Sequence, residues 1–492
     1  MHKEQERQMS PPLRRRIFLT VSAGVFMSTM DSSLVNVALP VLMEVFHSSL
    51  AVTQWVVLIY LLTITILLIF WGRLAVQWGA GVVYSRGMLL FAMGSLLCGA
   101  APSIWLLVLF RFVQALGASM MMATGPALIR SIFPPERLGR GLGMIGIATS
   151  LGLMTGPVLS GLLLRWVHWR AVFLVTVPVG LLFYLAGRRQ LVRAAPPHSS
   201  PPGTGQAEGP GLFDPAGALM WAVTVSLTIL LATHATTLCC GRGFVPSTLF
   251  WSGFLLTGLC WLVFLRQEIR SRSPILPLAM FRRRFFAMAV LSSALSFAVL
   301  FFVLILTPFY LARILGLPPD RIGYVMMAVP LSVFAVSPAA GRLHDRIGAR
   351  IVATAGLGCC LVAVLLLAAL DMESPPLSVA MRLALLGFGQ AMFLSPNSAS
   401  ALAGVSDDQA GVTASLLATA RNFGMLAGTA LAGLSFALHF AWATGGLDMR
   451  DFVPAMAPEF MLALKRSFQY AAVIGLIGVA ASWSRQDKAP EK

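Results

Sequence analysis

Long apolar runs recur along this chain, and most polar and charged residues fall in the short gaps between them. Each run is about 20 residues long, enough to cross ~30 Å of hydrocarbon as an α-helix. Fourteen runs can be marked: 17–41, 52–72, 82–101, 104–129, 141–164, 171–186, 213–234, 247–265, 285–311, 322–340, 350–370, 377–404, 410–437 and 468–483. A transmembrane barrel would need alternating segments of ~10 residues instead, and none is visible. The pattern predicts an all-α polytopic membrane protein. Two stretches interrupt it. Residues 187–212, with "APPHSSPPGTGQAEGPG", read as a flexible loop. Residues 266–284, "RQEIRSRSPILPLAMFRRR", are basic and read as a segment at the membrane surface.

The runs fall into two sets. "GRLAVQWGAG" (72–81) and "GRLHDRIGAR" (341–350) are similar, and each follows the second span of a six-span block. The blocks are 17–186 and 285–483, with two further spans between them. This predicts an N-terminal half over 1–186, a linker with two extra helices and the basic segment over 187–284, and a C-terminal half over 285–492. Repeated halves suggest a transporter with its binding site between them.

Composition agrees with a lipid solvent. Hydrophobic residues make up 57% of the 492, charged ones 11%, and mean hydropathy is +0.81. A soluble chain is nearer a quarter charged. The net charge of +17 does not imply nucleic acid. With the N-terminus in the cytoplasm, most Lys and Arg fall on cytoplasmic segments, the usual topological bias. An even number of spans puts both termini there. The N-terminal apolar run is too long for a signal peptide and reads as the first span. The six Cys lack metal-ligand spacing and read as packing residues. No GxxxxGK[ST], HExxH or GxSxG pattern occurs, so neither ATP-driven transport nor an enzyme is expected, and no metal or cofactor.

One acidic residue stands apart. Asp31, in "MDSSLVNVALP" (30–40), lies well inside a span, whereas Glu44 and Asp214 lie near span ends. A carboxylate within the membrane is expensive and suggests a function. Arg111, in "RFVQALGA" (111–118), lies at a similar depth, so the two can interact directly or through Gln114 or water. Such a pair can act as a proton switch: Arg111 does not titrate, and its distance sets how readily Asp31 takes a proton. A helix-capping Asp31 and an Arg111 donating to backbone remain open alternatives. Gly152, Gly156, Pro157 and Gly161, in "GLMTGPVLSG" (152–161), predict a bending or closely packed helix between the halves. Gln390, Asn397, Arg421 and Asn422 are polar residues within spans of the second half. They either line the cavity or pack helices.

These motifs resemble the major facilitator superfamily, and more closely its fourteen-span drug:proton antiporter family. "MDSSLVNVALP" is similar to that family's first-helix signature LDxTxVNVALP, which includes Asn36 and Pro40. "RFVQALGA" and "GLMTGPVLSG" resemble its fourth- and fifth-helix signatures, RxxQGxGA and GxxxGPxxGG. "HWRAVFLVTVPVG" (168–180), "DPAGALMWA" (214–222), "PILPLAMFRRRFF" (274–286) and "AGVTASLLATARNFGMLAGTALAG" (410–433) resemble further segments. The resemblance implies two six-helix halves plus two extra central helices. It also implies a proton-coupled exporter of amphipathic or aromatic, often cationic, compounds that works by alternating access. Its expected partners are a small-molecule substrate, protons and the lipid bilayer, in the cytoplasmic membrane. A working monomer is expected, and an envelope efflux partner is left open. One departure stands out. The family's loop after the second helix carries an Asp that latches the halves on the cytoplasmic side; Val76 and Gln77 stand there, while the second copy keeps Asp345 and Arg346. An exporter of one native metabolite, lipid or siderophore is the alternative within transport. A membrane enzyme or receptor is the alternative outside it.

Overall fold

The computed structural model describes residues 11–133, 135–194, 214–240, 247–271, 276, 278–403 and 410–485. Among them there is no strand, and fourteen long helices account for almost everything. They are α1 (Pro11–Val45), α2 (Leu50–Trp78), α3 (Ala80–Gly99), α4 (Ile104–Ile132), α5 (Pro135–Trp166), α6 (Ala171–Val192), α7 (Pro215–Cys240), α8 (Ser247–Arg270), α9 (Arg284–Arg313), α10 (Pro319–Ile347), α11 (Ala349–Ala368), α12 (Pro376–Ala403), α13 (Ala410–Thr444) and α14 (Ala457–Trp483). Thirteen are long and apolar enough to cross a membrane. α8 ends in a polar turn, with Arg266, Gln267, Glu268 and Arg270.

The predicted spans match helix for helix, but several helices outrun them. Helical backbone runs on past the end of α6 to Ala194, so the first part of the predicted loop is helical: Leu191 is buried against Gly81 while Arg188 and Arg189 point outward. The rest of that loop, from 195, lies outside the described residues. α14 begins at Ala457 rather than 468 because Lys465 and Arg466 are exposed on a helix whose Phe460, Ala463, Leu464 and Phe468 are buried. Charge alone did not end that helix. The basic stretch 266–284 is helical at both ends, through Arg270 and again at Leu278–Phe281. Glu268 within it is buried and accepts a hydrogen bond from Leu276 N at 2.9 Å.

The internal repeat is structural. Gly79 and Gly348 break the chain between α2 and α3 and between α10 and α11, at φ of 85° and 87°. Only glycine takes this backbone without strain. The halves also pack alike. Gly87 of α3 meets Gly117 of α4, and Gly356 of α11 meets Gly389 of α12. Gly152 and Gly156 of α5 sit on the backbone of α1 at Phe26 and Met30; Gly424 and Gly428 of α13 sit on α9 at Ala294 and Ala298. Any side chain at these glycines would meet backbone, so each permits a close helix approach. α7 and α8 pack on each other, and α7 also lies against α2 and α13. There the indole of Trp221 donates to the Thr65 carbonyl at 3.4 Å.

Both described ends of the chain lie on one face of the bundle, here called the terminal face. The described links between the halves cluster at the opposite face. Arg313 of α9 pairs with Glu44 of α1 at 2.9 Å. Gly161 packs on Pro319, Gly323 on Pro157, and Gly433 on the Gln54 side chain. The loop before α14 docks on α2 through Asp448, which accepts from Leu50 N; burial pushes its carboxyl above the ordinary range. At the terminal face Asp345 and Arg346 are exposed, as are Val76 and Gln77.

Gly323→Leu should wedge α10 away from Pro157 and part the halves at the opposite face. Spin labels at Val167 and Arg321 should then move apart by several ångströms. Gly341→Leu is the control, because nothing lies within 4 Å of a Cβ there. Equal distances in both variants would show that the α5–α10 contact does not hold this face closed.

Candidate functional site

Asp31 and Arg111 are both fully buried, and the structure brings them together. Arg111 Nη1 donates to Asp31 Oδ2 at 2.5 Å. Gln114, one turn further along α4, donates from Nε2 to Asp31 Oδ1 at 2.8 Å and accepts from Arg111 Nη1 at 2.6 Å. Each carboxylate oxygen thus has a donor. Ser95 of α3 shares the Gln114 amide at 2.7 Å. Gly94 allows this by letting α3 lie directly on the Gln114 backbone.

The other face of the guanidinium is also occupied. Arg111 Nε donates to the Val56 carbonyl of α2 at 3.1 Å, so the backbone-donor alternative holds alongside the ion pair. The Tyr60 ring lies 4.2 Å from the guanidinium carbon, and the Tyr60 hydroxyl donates to the Ser28 carbonyl at 3.3 Å. Neither Tyr60, Ser95 nor Val56 was singled out by sequence. A lone tyrosine or serine in an apolar span carries no signal, and a backbone carbonyl carries none at all.

A cavity of about 420 Å³ lies between the halves, within the range of small-molecule sites. Its wall comes from α1, α2, α4 and α5 on one side and α9, α10, α12 and α13 on the other. It is largely apolar, with Met121, Met122, Met326 and Met425 beside Phe297 and Phe301. Asp31 is not on the wall. Tyr60 is, so its ring separates the cavity from the Asp31–Arg111 pair.

The other predicted residues divide. Asn36, Pro157, Arg421 and Asn422 line the cavity. Pro40 has no N–H to give the Asn36 carbonyl, and the Asn36 side-chain Oδ1 has no partner either. Gly152 and Gly156 hold α5 to α1 within one half, and Pro157 and Gly161 contact α10 across the gap. Gln390 and Asn397 pack helices. Gln390 exchanges hydrogen bonds with Ser296 at 2.9 and 3.0 Å. Asn397 donates to the Ala289 carbonyl at 3.1 Å and accepts from Arg485 at 2.7 Å. Arg485 reads from sequence as a tail residue, yet it is buried against the Phe285 ring. Asp345 and Arg346 sit in the last turns of α10, away from the cavity. Asp214 is a helix cap: Gly217 N donates to it at 2.8 Å, and that bond holds its carboxyl below the ordinary range.

The model of the Major Facilitator Superfamily matches residues 21–429. The chain belongs to the major facilitator superfamily. Its relatives include a multidrug resistance protein and a riboflavin transporter. It is 30% identical over 458 residues to the multidrug resistance protein Stp of Mycobacterium tuberculosis, covering 92% of this chain and 81% of that one. It is also 30% identical over 463 residues to the riboflavin transporter RibZ of Clostridioides difficile, covering 94% and 95%. Among solved structures, a bacterial homologue of the human lysosomal transporter Spinster, inward-facing and unoccupied, superposes with a TM-score of 0.66 at 16% identity, covering 97% and 98%. Membership of that family makes the chain a multi-pass membrane transporter.

Removing the Tyr60 ring should expose the buried pair to the cavity. In Tyr60→Ala, labelling of Asp31 by a hydrophobic carbodiimide, read by mass spectrometry of its peptide, should rise several-fold over the native protein. Unchanged labelling would mean that Tyr60 does not seal the pair.

Proposed function

We propose that this transporter exports amphipathic or aromatic small molecules in exchange for protons. The observation that carries this reading is the pairing of one buried Asp–Arg–Gln cluster with an apolar cavity walled by both halves. In the present state Arg111 donates to one oxygen of Asp31 and Gln114 to the other, and Arg111 is the paired positive charge. For Asp31 to load a proton, Arg111 must withdraw or water must enter, and both require the surrounding helices to shift. The same shift opens one face of the cavity and closes the other. Protonation of Asp31 and reorientation of the cavity are thereby the same event, seen from two places.

The closed opposite face and unlatched terminal face support an inward-open state, with the terminal face in the cytoplasm and the protein in the cytoplasmic membrane. Val76 and Gln77 favour that state by removing the charges that latch relatives there. The flexible methionines of the wall suit substrates of several shapes, and the name of the Stp relative agrees. Export of a single metabolite is the second reading, favoured by the likeness to a riboflavin transporter. A resistance screen of an efflux-deficient host expressing this chain, across dissimilar compounds, separates the two.

The coupling step is tested in reconstituted vesicles. Asp31→Asn should abolish substrate accumulation driven by a pH gradient while leaving counterflow of substrate down its own gradient. Accumulation at the native rate in the variant would remove Asp31 from the mechanism.

A further inference from the structure

Among the described residues the cavity wall carries one charged side chain, and it is a cation. Arg421 of α13 lines the cavity and is partly accessible from it. Among the described residues it makes no hydrogen bond or ion pair, unlike Arg111, which has three partners. Its neighbour Asn422 is turned back on its own helix, donating to the Ala418 carbonyl at 3.0 Å. The Asp31–Arg111 pair behind Tyr60 is neutral as a unit and so leaves the cavity with the charge of Arg421.

The repeat sharpens this. In the register set by the glycine contacts of α5 on α1 and of α13 on α9, Arg421 corresponds to Thr149. Thr149 also lines the cavity, and its hydroxyl is spent on the Ile145 carbonyl of its own helix. One half thus offers a satisfied hydroxyl where the other offers an unsatisfied guanidinium. An arginine facing apolar walls at membrane depth stays charged, and a charge without a partner there is expensive. A ligand that supplies the missing anion recovers that cost, whereas a cationic ligand adds to it. Planar, bidentate recognition of carboxylate, sulfonate or phosphate is the chemistry guanidinium does best.

We infer that the substrate of this cavity is an amphipathic or aromatic organic anion whose acidic group is held by Arg421. This rests on the export reading only in calling the ligand a substrate, and it replaces the cationic compounds that the family resemblance implied.

Three pyrene probes of matched shape test it: 1-pyrenebutyrate, 1-pyrenebutanol and 1-pyrenebutyl-trimethylammonium. Binding to the purified full-length protein in a neutral detergent is read by fluorescence anisotropy. Pyrenebutyrate should bind about tenfold or more tighter than the alcohol, and the ammonium probe weakest. Arg421→Gln should bring pyrenebutyrate down to the level of the alcohol without changing the alcohol itself. Arg421→Lys should keep part of the preference, which separates loss of charge from loss of fold. Inorganic phosphate should compete poorly, because it brings the charge without the apolar body. The inference is overturned if the ammonium probe binds as tightly as pyrenebutyrate, if Arg421→Gln keeps the anion preference, or if phosphate alone displaces pyrenebutyrate at comparable concentration. Pyrenebutyrate that binds through Arg421 but is not moved across proteoliposome membranes by a pH gradient leaves the assignment standing and counts against the export reading alone.

Discussion

An ionised carboxylate inside a helix bundle has no water to solvate it, so the protein must supply every donor. In this chain that requirement organises four helices around Asp31. Arg111 and Gln114 come from α4, and Ser95 of α3 fixes the Gln114 amide. The Val56 carbonyl and the Tyr60 ring of α2 hold the guanidinium from its other side. Removing one partner from such a set leaves a buried charge, at a cost of roughly 3–5 kcal/mol. The cluster is thus stable only as a whole. The proton exchange proposed above would give it a second arrangement, in which Arg111 no longer pairs with Asp31. A group with two self-consistent arrangements, built from helices of one half and bordering the gap between halves, is what alternating access needs.

The second half keeps the packing of this arrangement and discards its chemistry. In the register of the glycine contacts, Asp31 corresponds to Val299, Ser95 to Val364, Arg111 to Leu383 and Gln114 to Leu386. All four are buried apolar residues. Loss of the whole set is the physically consistent outcome, because a partial set would strand a charge or an amide in hydrocarbon. The halves are therefore alike as scaffolds and unlike as sites: the first holds the buried Asp31–Arg111 pair, and the second contributes Arg421 to the cavity wall.

The helices and the repeat were legible because they follow from composition over long windows. Asp31 and Arg111 were legible because each is costly where it stands, and their depths along two helices agreed. What stayed hidden depends on tertiary contact. The Glu44–Arg313 pair joins span ends far apart in sequence, so each residue alone looks like an ordinary solvated terminus. Arg485 follows the last apolar run and looks like a tail charge until Asn397 is seen to accept from it. Gly424 and Gly428 repeat the spacing of Gly152 and Gly156, and that spacing alone could have found them. The four polar residues of the second half looked equivalent from sequence. They differ only because Gln390 and Asn397 meet another helix, whereas Arg421 meets open space.

The sign of the charge in the cavity also decides how hard the membrane can drive transport. Under the proton exchange proposed above, Asp31, a single carboxylate set behind Tyr60 from the cavity, would carry one proton per cycle. One proton entering for one monovalent cation leaving moves no net charge. Only a pH gradient then acts, at ~1.4 kcal/mol per unit, enough for about tenfold accumulation. With a monovalent anion leaving, two charges cross in the favourable direction. A potential of ~100 mV then supplies ~4.6 kcal/mol beside the pH term. The total of about 6 kcal/mol supports a gradient on the order of 10⁴. An exporter coupled through one carboxylate, as proposed above for this chain, is thus poorly matched to cations and well matched to anions on energetic grounds alone. Arg421 in the cavity and a solitary Asp31 behind it are two independent features, one of recognition and one of energetics, and they favour the same class of substrate.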